Sequence, residues 1–179
     1  MAEFQIETER LILREWREAD AAPFHAMSED PRVMATLGPL MSRAQSDALI
    51  ARLQKRQIDH GHTFWALECK QDKAFIGWCG IVIALDELPI AGKLEAGWRL
   101  AHSAWGLGYA REAAQASLDW GFQTLGADEI WAITSINNSR SWGLMERLGM
   151  ERQHDMDFDH PNVADGSPLK QHITYRIKR

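Results

Sequence analysis

The residues most suited to chemistry lie in one short run, Trp105-Gly106-Leu107-Gly108-Tyr109-Ala110-Arg111. Two glycines there precede an Ala-rich helical pattern. The first turn of a helix leaves backbone N–H donors unpaired and carries partial positive charge. Glycines without Cβ atoms let an anion approach those donors closely. Just upstream, Gly97 to Ala101 reads as an apolar strand, so strand, small-residue turn and helix start would converge on a phosphate group. The turn contains no Lys, and Arg111 is the nearest fixed charge. That composition suits a diphosphate that is held rather than cleaved. The plain alternative is a tight strand-to-helix connection.

Other chemistries fail on residue identity. A dinucleotide fingerprint needs Gly or Ala three residues after Gly108, where the chain has Arg111. A mononucleotide P-loop needs Gly-Lys followed by Ser or Thr, and Gly92-Lys93 is followed by Leu94. No Gly-x-Ser-x-Gly elbow supports a hydrolase. His60 and His62 lack a nearby Cys or paired carboxylate, so solvated side chains are expected there rather than metal ligands. His102 reads as a turn residue.

The elements that must position the loop follow from periodicity. Arg10 to Trp16 reads as a first strand, and Asp20 opens a helical stretch that runs to about Asp30-Pro31. Residues Pro31 to Met41 look irregular. Ser42 with Gln45 forms a capping box for a helix to His60, closed by Gly61, with Ala48, Leu49, Leu53 and Ile58 as its apolar stripe. Thr63 to Cys69 and Ala74 to Leu85 read as strands around a Gln71-Asp72-Lys73 turn. After the loop Asp86 to Lys93 come the central strand, the glycine turn and a helix ending near Gly126. Glu129 to Ser135 is a strand and Asn137 to Leu148 a helix stopped by Gly149. Met150 to Phe158 and Leu169 to Lys178 close the chain as a hairpin-like pair around a polar insertion, His160 to Pro168. In the last segment Leu169, Ile173, Tyr175 and Ile177 alternate with polar residues. The pattern predicts an α+β sheet with helices on its faces.

Composition bounds the rest. The 179 residues suffice for one domain with a core, here residues 1–179. A net charge of −5 without a basic run argues against nucleic acid as a partner. No stretch approaches the roughly 20 apolar residues of a membrane span. Met1-Ala2-Glu3-Phe4-Gln5 shows no signal-peptide pattern, and Cys69 and Cys79 read as free thiols. A cytoplasmic protein, monomer or homodimer, is expected.

The motifs resemble those of the GCN5-related N-acetyltransferases (GNAT superfamily), in the ribosomal-protein-acetylase-like (RimJ/RimL-type) branch. The acetyl-CoA loop of that superfamily, Gln/Arg-x-x-Gly-x-Gly/Ala, is matched through Gly108 and Ala110 and continues into Arg111-Glu112-Ala113. Trp105 stands in place of Gln or Arg, as is common in this branch. Some thirty residues on, Asn138, Ser141 and Leu148-Gly149-Met150 match a second motif that lines the pantetheine arm. The resemblance extends from about Glu7 to the last strand. It implies a mostly antiparallel mixed sheet whose central strand pair is splayed. It also implies acetyl-CoA as cosubstrate, no metal, and an amine acceptor: a protein N-terminal α-amine or a small-molecule amine.

Carried onto this chain, the resemblance implies that Trp105, Gly106, Leu107, Gly108, Tyr109, Ala110 and Arg111 take the diphosphate. Backbone groups of Trp98, Arg99 and Leu100 would take pantetheine, with an N–H near Leu100 facing the thioester oxygen. The Trp98 and Leu100 side chains read as core. Many members use a Tyr seven residues after the motif Asn as general acid, but here that residue is Met145. Asn138 and Ser141, three apart on one helix face, would address one ligand, with Ser141 near the thiol; otherwise Ser141 only bonds within its helix. Glu95 would accept the amine's proton directly or through water, or else is a strand-end surface carboxylate. Glu112 reads as structural. With no cysteine in either motif, direct transfer in a ternary complex is expected, and a non-catalytic acyl-CoA-binding module is the alternative. Pro31–Gly61, Asp86–Lys93 and His160–Pro168, where the family diverges most, would set the acceptor.

Overall fold

The protein is represented by a computed structural model that describes residues 4–179. Residues 1–3, on which the reading of the N-terminus partly rests, lie outside the described residues. The strands are β1 (Gln5–Glu7), β2 (Leu11–Arg14), β3 (Phe64–Cys69), β4 (Phe75–Ile83), β5 (Leu94–Leu100), β6 (Glu129–Ser135), β7 (Glu151–Arg152), β8 (Phe158–Asp159) and β9 (Gln171–Lys178). The helices are α1 (Ala21–Ser28), α2 (Pro31–Met34), α3 (Arg43–His60), α4 (Tyr109–Thr124) and α5 (Ser139–Arg147). Among the described residues they form a single sheet in the order β1-β2-β3-β4-β5-β6-β9-β7, with β8 also on β9. Every pairing is antiparallel except β5 with β6. This is the expected α+β, mostly antiparallel architecture.

Side-chain alternation along β5 assigns its two faces. Ala96 and Leu100 are buried with Cys79, Ile81, Ala113, Ala114 and Leu118 under α4, and Leu144 and Met145 of α5, with Leu148 just beyond it, join the same cluster. Across β4, Trp78 faces the other way, buried with Trp16, Phe24, Val33, Met34, Ile50 and Leu53 under α1, α2 and α3. The chain therefore carries one helical layer on each side of the sheet. Arg14 at the end of β2 is locked between them and the sheet. Its guanidinium donates to both oxygens of Asp20 at 2.8 and 2.9 Å and to Glu68 at 2.8 Å, all three groups buried.

Several local expectations need correction. Pro31–Met34 is a helical turn, because the Asp30 side chain accepts from the Arg32 N–H at 2.9 Å and Pro31 suits a first helical position. The capping box of α3 is present, but its buried positions are Ser46, Ile50 and Leu53, while Ile58 is 83% exposed. The helix turns a partly polar stripe inward: Ser46 is fully buried, and at the far end Trp65 Nε1–H donates to Gln57 at 2.9 Å. The closing hairpin is broken into β7, a 3-10 turn at His154–Met156, and β8, both strands pairing with β9. Leu169 precedes β9. Thr174, on the nominally polar face, is fully buried because its hydroxyl donates to the Met156 carbonyl at 2.9 Å.

Candidate active site

The parallel pair at the centre of the sheet barely exists. β5 and β6 meet at one position, Glu95 opposite Trp131, and separate beyond it. On its other edge β5 stays in register with β4 along its full length. At the two ends of that register Ala101 N–H donates to Ile76 O and Lys93 O accepts from Ala84 N–H. Backbone groups of odd-numbered β5 residues therefore point to β4. Those of Trp98 and Leu100 point into the gap that β6 has left. A cleft of about 850 Å³ opens there, lined by β5, the Trp105–Arg111 turn, the start of α5 and part of α2.

The loop is built to keep its amides free. Gly106 and Gly108 adopt left-handed backbone, φ +74° and +82°, which a side chain would strain. Gly108 is the N-cap of α4 and offers no side chain to satisfy its first turn. Among the described residues no protein acceptor faces the N–H groups of Gly106 to Arg111. The turn is instead held from outside. Trp105 Nε1–H donates to Leu100 O at 2.9 Å, and Arg10 Nη1–H donates to Leu107 O at 2.9 Å. Glu112 anchors that brace by accepting from Thr8 Oγ1 at 2.6 Å and from Arg10 Nε and backbone N at 2.7 and 2.8 Å. Burial alone would raise the Glu112 carboxyl, but these donors hold it below its ordinary value. Its structural reading stands on that geometry.

The structure brings Glu95, Trp98, Arg99, Leu100, Trp105, Gly106, Gly108, Tyr109, Ala110, Arg111, Asn138 and Ser141 to this cleft. Leu107 is the exception: its side chain is 53% exposed and stands outside the lining. Asn138 is not inside the helix but caps it, its Oδ1 accepting from Ser141 N–H at 3.3 Å. A residue spent as a cap does not share a helix face with Ser141 in the way the i, i+3 spacing suggests. The Ser141 hydroxyl itself makes no hydrogen bond among the described residues, so it is not consumed within its helix. Met145 is fully buried in the core.

Glu95 is half-buried at the deep end of the cleft. Burial pushes its carboxyl up to about 7, with Arg56 only partly opposing. Arg99 corrects the reading of its backbone: the odd-numbered register commits its N–H and C=O to β4, and its side chain is what reaches the cleft. Sequence reasoning also missed Phe64 and Trp78, stacked at 4.6 Å, which line the cleft on that face. Of the three segments expected to set the acceptor, only Pro31–Gly61 contributes lining residues, through Arg32, Val33, Ala35, Thr36 and Leu37. Asp86–Lys93 and His160–Pro168 contribute none.

A sheet parted beside a glycine turn of free amides defines a class, the GNAT acetyltransferases. The family model described as "Acetyltransferase (GNAT) domain" matches residues 10–151, and the chain belongs to that family. It is 31% identical over 150 residues to protein YkkB of Bacillus subtilis (strain 168), covering 83% of this chain and 86% of that one. The acetyltransferase of Agrobacterium tumefaciens str. C58 shares the fold at TM-score 0.80 with 25% identity, covering 100% of this chain and 96% of that one. The ribosomal-protein-S5-alanine acetyltransferase of Vibrio fischeri shares the fold at TM-score 0.75 with 18% identity, over 98% and 97% of the two chains. The protein is an acetyl-CoA-dependent acetyltransferase. Among the described residues no helix is long and apolar enough to cross a membrane.

Proposed function

We propose that the protein transfers the acetyl group of acetyl-CoA to a primary amine directly, in a ternary complex formed across the parted strands. The observation that carries this reading is the single β5–β6 bridge, which turns the Trp98 and Leu100 backbone groups into a cleft continuous with the free amides of residues 106–111. The residues fit the cosubstrate on chemical grounds. Unpaired N–H donors at a helix start suit a diphosphate, and a strand edge left open by β6, where among the described residues only the Leu100 carbonyl is taken, by Trp105 Nε1–H, suits the amide-bearing pantetheine arm. In the reaction the acceptor's nitrogen lone pair attacks the thioester carbonyl carbon, the C–S bond breaks, and coenzyme A leaves as a thiol.

The chain's own groups divide the remaining work. The Leu100 N–H, aimed into the gap, is placed to donate to the developing oxyanion. Glu95, held near neutrality by burial, takes the proton that the amine must lose, directly or through water. The unspent Ser141 hydroxyl donates toward the leaving sulfur, where Met145 has no proton to give. Cys79 supports direct transfer: it is fully buried, outside the cleft, and burial pushes its thiol up to about 12. Cys69 is likewise buried and outside the lining. The test is release of free thiol from acetyl-CoA against a mixed amine panel, with the product identified by mass. Amine-dependent thiol release with acetylated product is expected. Cosubstrate binding without release for any amine would make the protein a binding module instead.

A further inference from the structure

Arg99 stands out among the cleft's arginines because part of its guanidinium is enclosed and yet, among the described residues, no carboxylate neutralises it. Its Nε is shut off from solvent and has no hydrogen-bond partner among the described residues. Nη1 faces only the Met41 sulfur, at 3.7 Å, and the guanidinium lies 5.4 Å from the centre of the Trp78 ring. Among the described residues no carboxylate pairs with it. Arg14, a fully buried arginine, has two such partners at 2.8 Å. A half-buried guanidinium with an enclosed, unpartnered Nε and no anion is costly, and a chain that needed only packing there would be better served by an apolar side chain. Burial alone lowers the group to about 10, so it stays charged at neutral pH.

The face on which it sits decides what the missing anion belongs to. Arg99 projects with Glu95 and Gly97, on the α1–α3 side of the sheet. The first turn of α4, with Tyr109 and Ala110, the rest of α4 and α5 pack on the opposite side, under the even-numbered residues of β5. The phosphates that the turn would hold are therefore across the sheet from this guanidinium. Glu95 and Arg99 are four residues apart on one extended strand, roughly 13 Å between Cα atoms. Stacked Phe64 and Trp78 line the space beside them, and a Cβ on Gly97 would come within 2.8 Å of the Phe64 ring. An acceptor lying along this strand would meet a proton-accepting carboxylate toward one end, an aromatic wall between, and a fixed positive charge toward the other. Among the described residues Glu95 is the cleft's only acidic lining residue. A polyamine, with several ammonium groups to balance, would find a single carboxylate and an opposing guanidinium.

We propose that Arg99 is a specificity-determining residue that pairs with a carboxylate carried by the acceptor, so that the acceptors of this enzyme are small aminocarboxylates. The proposal rests on the amine-transfer reading above and adds the acceptor's second functional group. The nitrogen that attacks loses one proton toward Glu95; the carboxylate stays ionised, is not transformed, and is held by the guanidinium in a charge-assisted pair.

The test compares matched probes, ω-amino acids such as 4-aminobutyrate and 6-aminohexanoate against their primary amides. Two readings are taken: acetyl-CoA-dependent kcat/KM, and direct binding to the coenzyme A-loaded protein by calorimetry. Wild-type protein is expected to favour acids over amides by about tenfold to a hundredfold, the scale of a charge-assisted hydrogen bond. Arg99→Gln should close that gap by a larger loss for the acid, mainly in KM, and Arg99→Lys should keep part of it as a point charge. Acids and amides that bind and react alike in the wild type would overturn the proposal and leave amine transfer standing. So would an Arg99→Gln loss equal for both. Acids that bind through Arg99 while no amine is acetylated would uphold the anion site and overturn the transfer reading. The wild-type acid-to-amide ratio needs no variant, so misfolding of a mutant does not blunt the comparison.

Discussion

Replacing Glu95 by Gln should make the protein more stable above neutral pH and slower at the same pH. The carboxyl is pushed from its ordinary 4.5 up to about 7 by burial. The folded protein then holds this proton more tightly than the unfolded chain does, so ionisation of Glu95 works against folding. That cost is absent below about pH 4.5, grows between 4.5 and 7, and is complete above 7. At about 1.4 kcal/mol per pH unit the full displacement corresponds to roughly 3 kcal/mol. Glu95 keeps some surface in the open cleft, so screening by solvent reduces this to about 1–2 kcal/mol. Gln has nearly the same shape and no charge to desolvate. For a domain of this size 1–2 kcal/mol is about 3–6 °C in Tm. Thermal melts of both proteins at pH 5 and pH 8.5 should show a gain for Glu95→Gln that is present at pH 8.5 and small at pH 5. The same variant should lose about a hundredfold or more in kcat at neutral pH, and the limb of the rate profile rising through pH 7 should vanish. A stability difference equal at the two pH values would refute the buried-carboxylate reasoning. A wild-type rate and pH profile in the variant would show that the amine's proton leaves by another path.

Three further outcomes are expected. Ser141→Ala should lower kcat by about tenfold to a hundredfold with cosubstrate affinity by calorimetry nearly intact, since a hydroxyl is a weak acid helping a good leaving group; an undiminished kcat leaves Ser141 as a helix-face serine. Acetyl-CoA at a hundredfold excess over its Kd should stabilise the wild type by about 2.7 kcal/mol, and Gly108→Trp should abolish that Tm shift, at a cost to the unliganded fold of about 1–2 kcal/mol from φ +82°; a retained shift removes the loop from the binding site. Arg14→Met should destabilise the protein by about 3–5 kcal/mol in denaturant melts, because it strands Asp20 and Glu68 as buried charges; a loss under 1 kcal/mol would contradict the pairing.

What was legible in the sequence was what is local. The Ser42–Gln45 box specifies the start of α3 because both hydrogen bonds close within four residues. The left-handed turn at Gly106 and Gly108 could be anticipated because few residues other than glycine tolerate it. The periodicity of α3 misleads because Ser46 and Gln57 point inward and Ile58 outward, with partners His25 and Trp65 that lie on other elements. The break between β7 and β8 is likewise decided by partners on β9, distant in the chain. The parting of β5 from β6 has no signature in composition or period; family resemblance alone anticipated it. Arg99 illustrates the remaining limit. Its place in the sequence was visible, but which of its groups faces the cleft depends on the register with β4, which no single strand encodes.

The central claim is that acetyl-CoA lies in the gap between β5 and β6 with its diphosphate on the amides of residues 106–111. Amide hydrogen exchange followed by mass spectrometry, with and without acetyl-CoA, reads this most directly, because those amides have no protein acceptor to slow them. Slowed exchange is predicted in the segments spanning residues 98–111 and 137–141, with little change on the outer face of α3. Unchanged exchange at 106–111 in the saturated protein, or protection concentrated elsewhere, would contradict it.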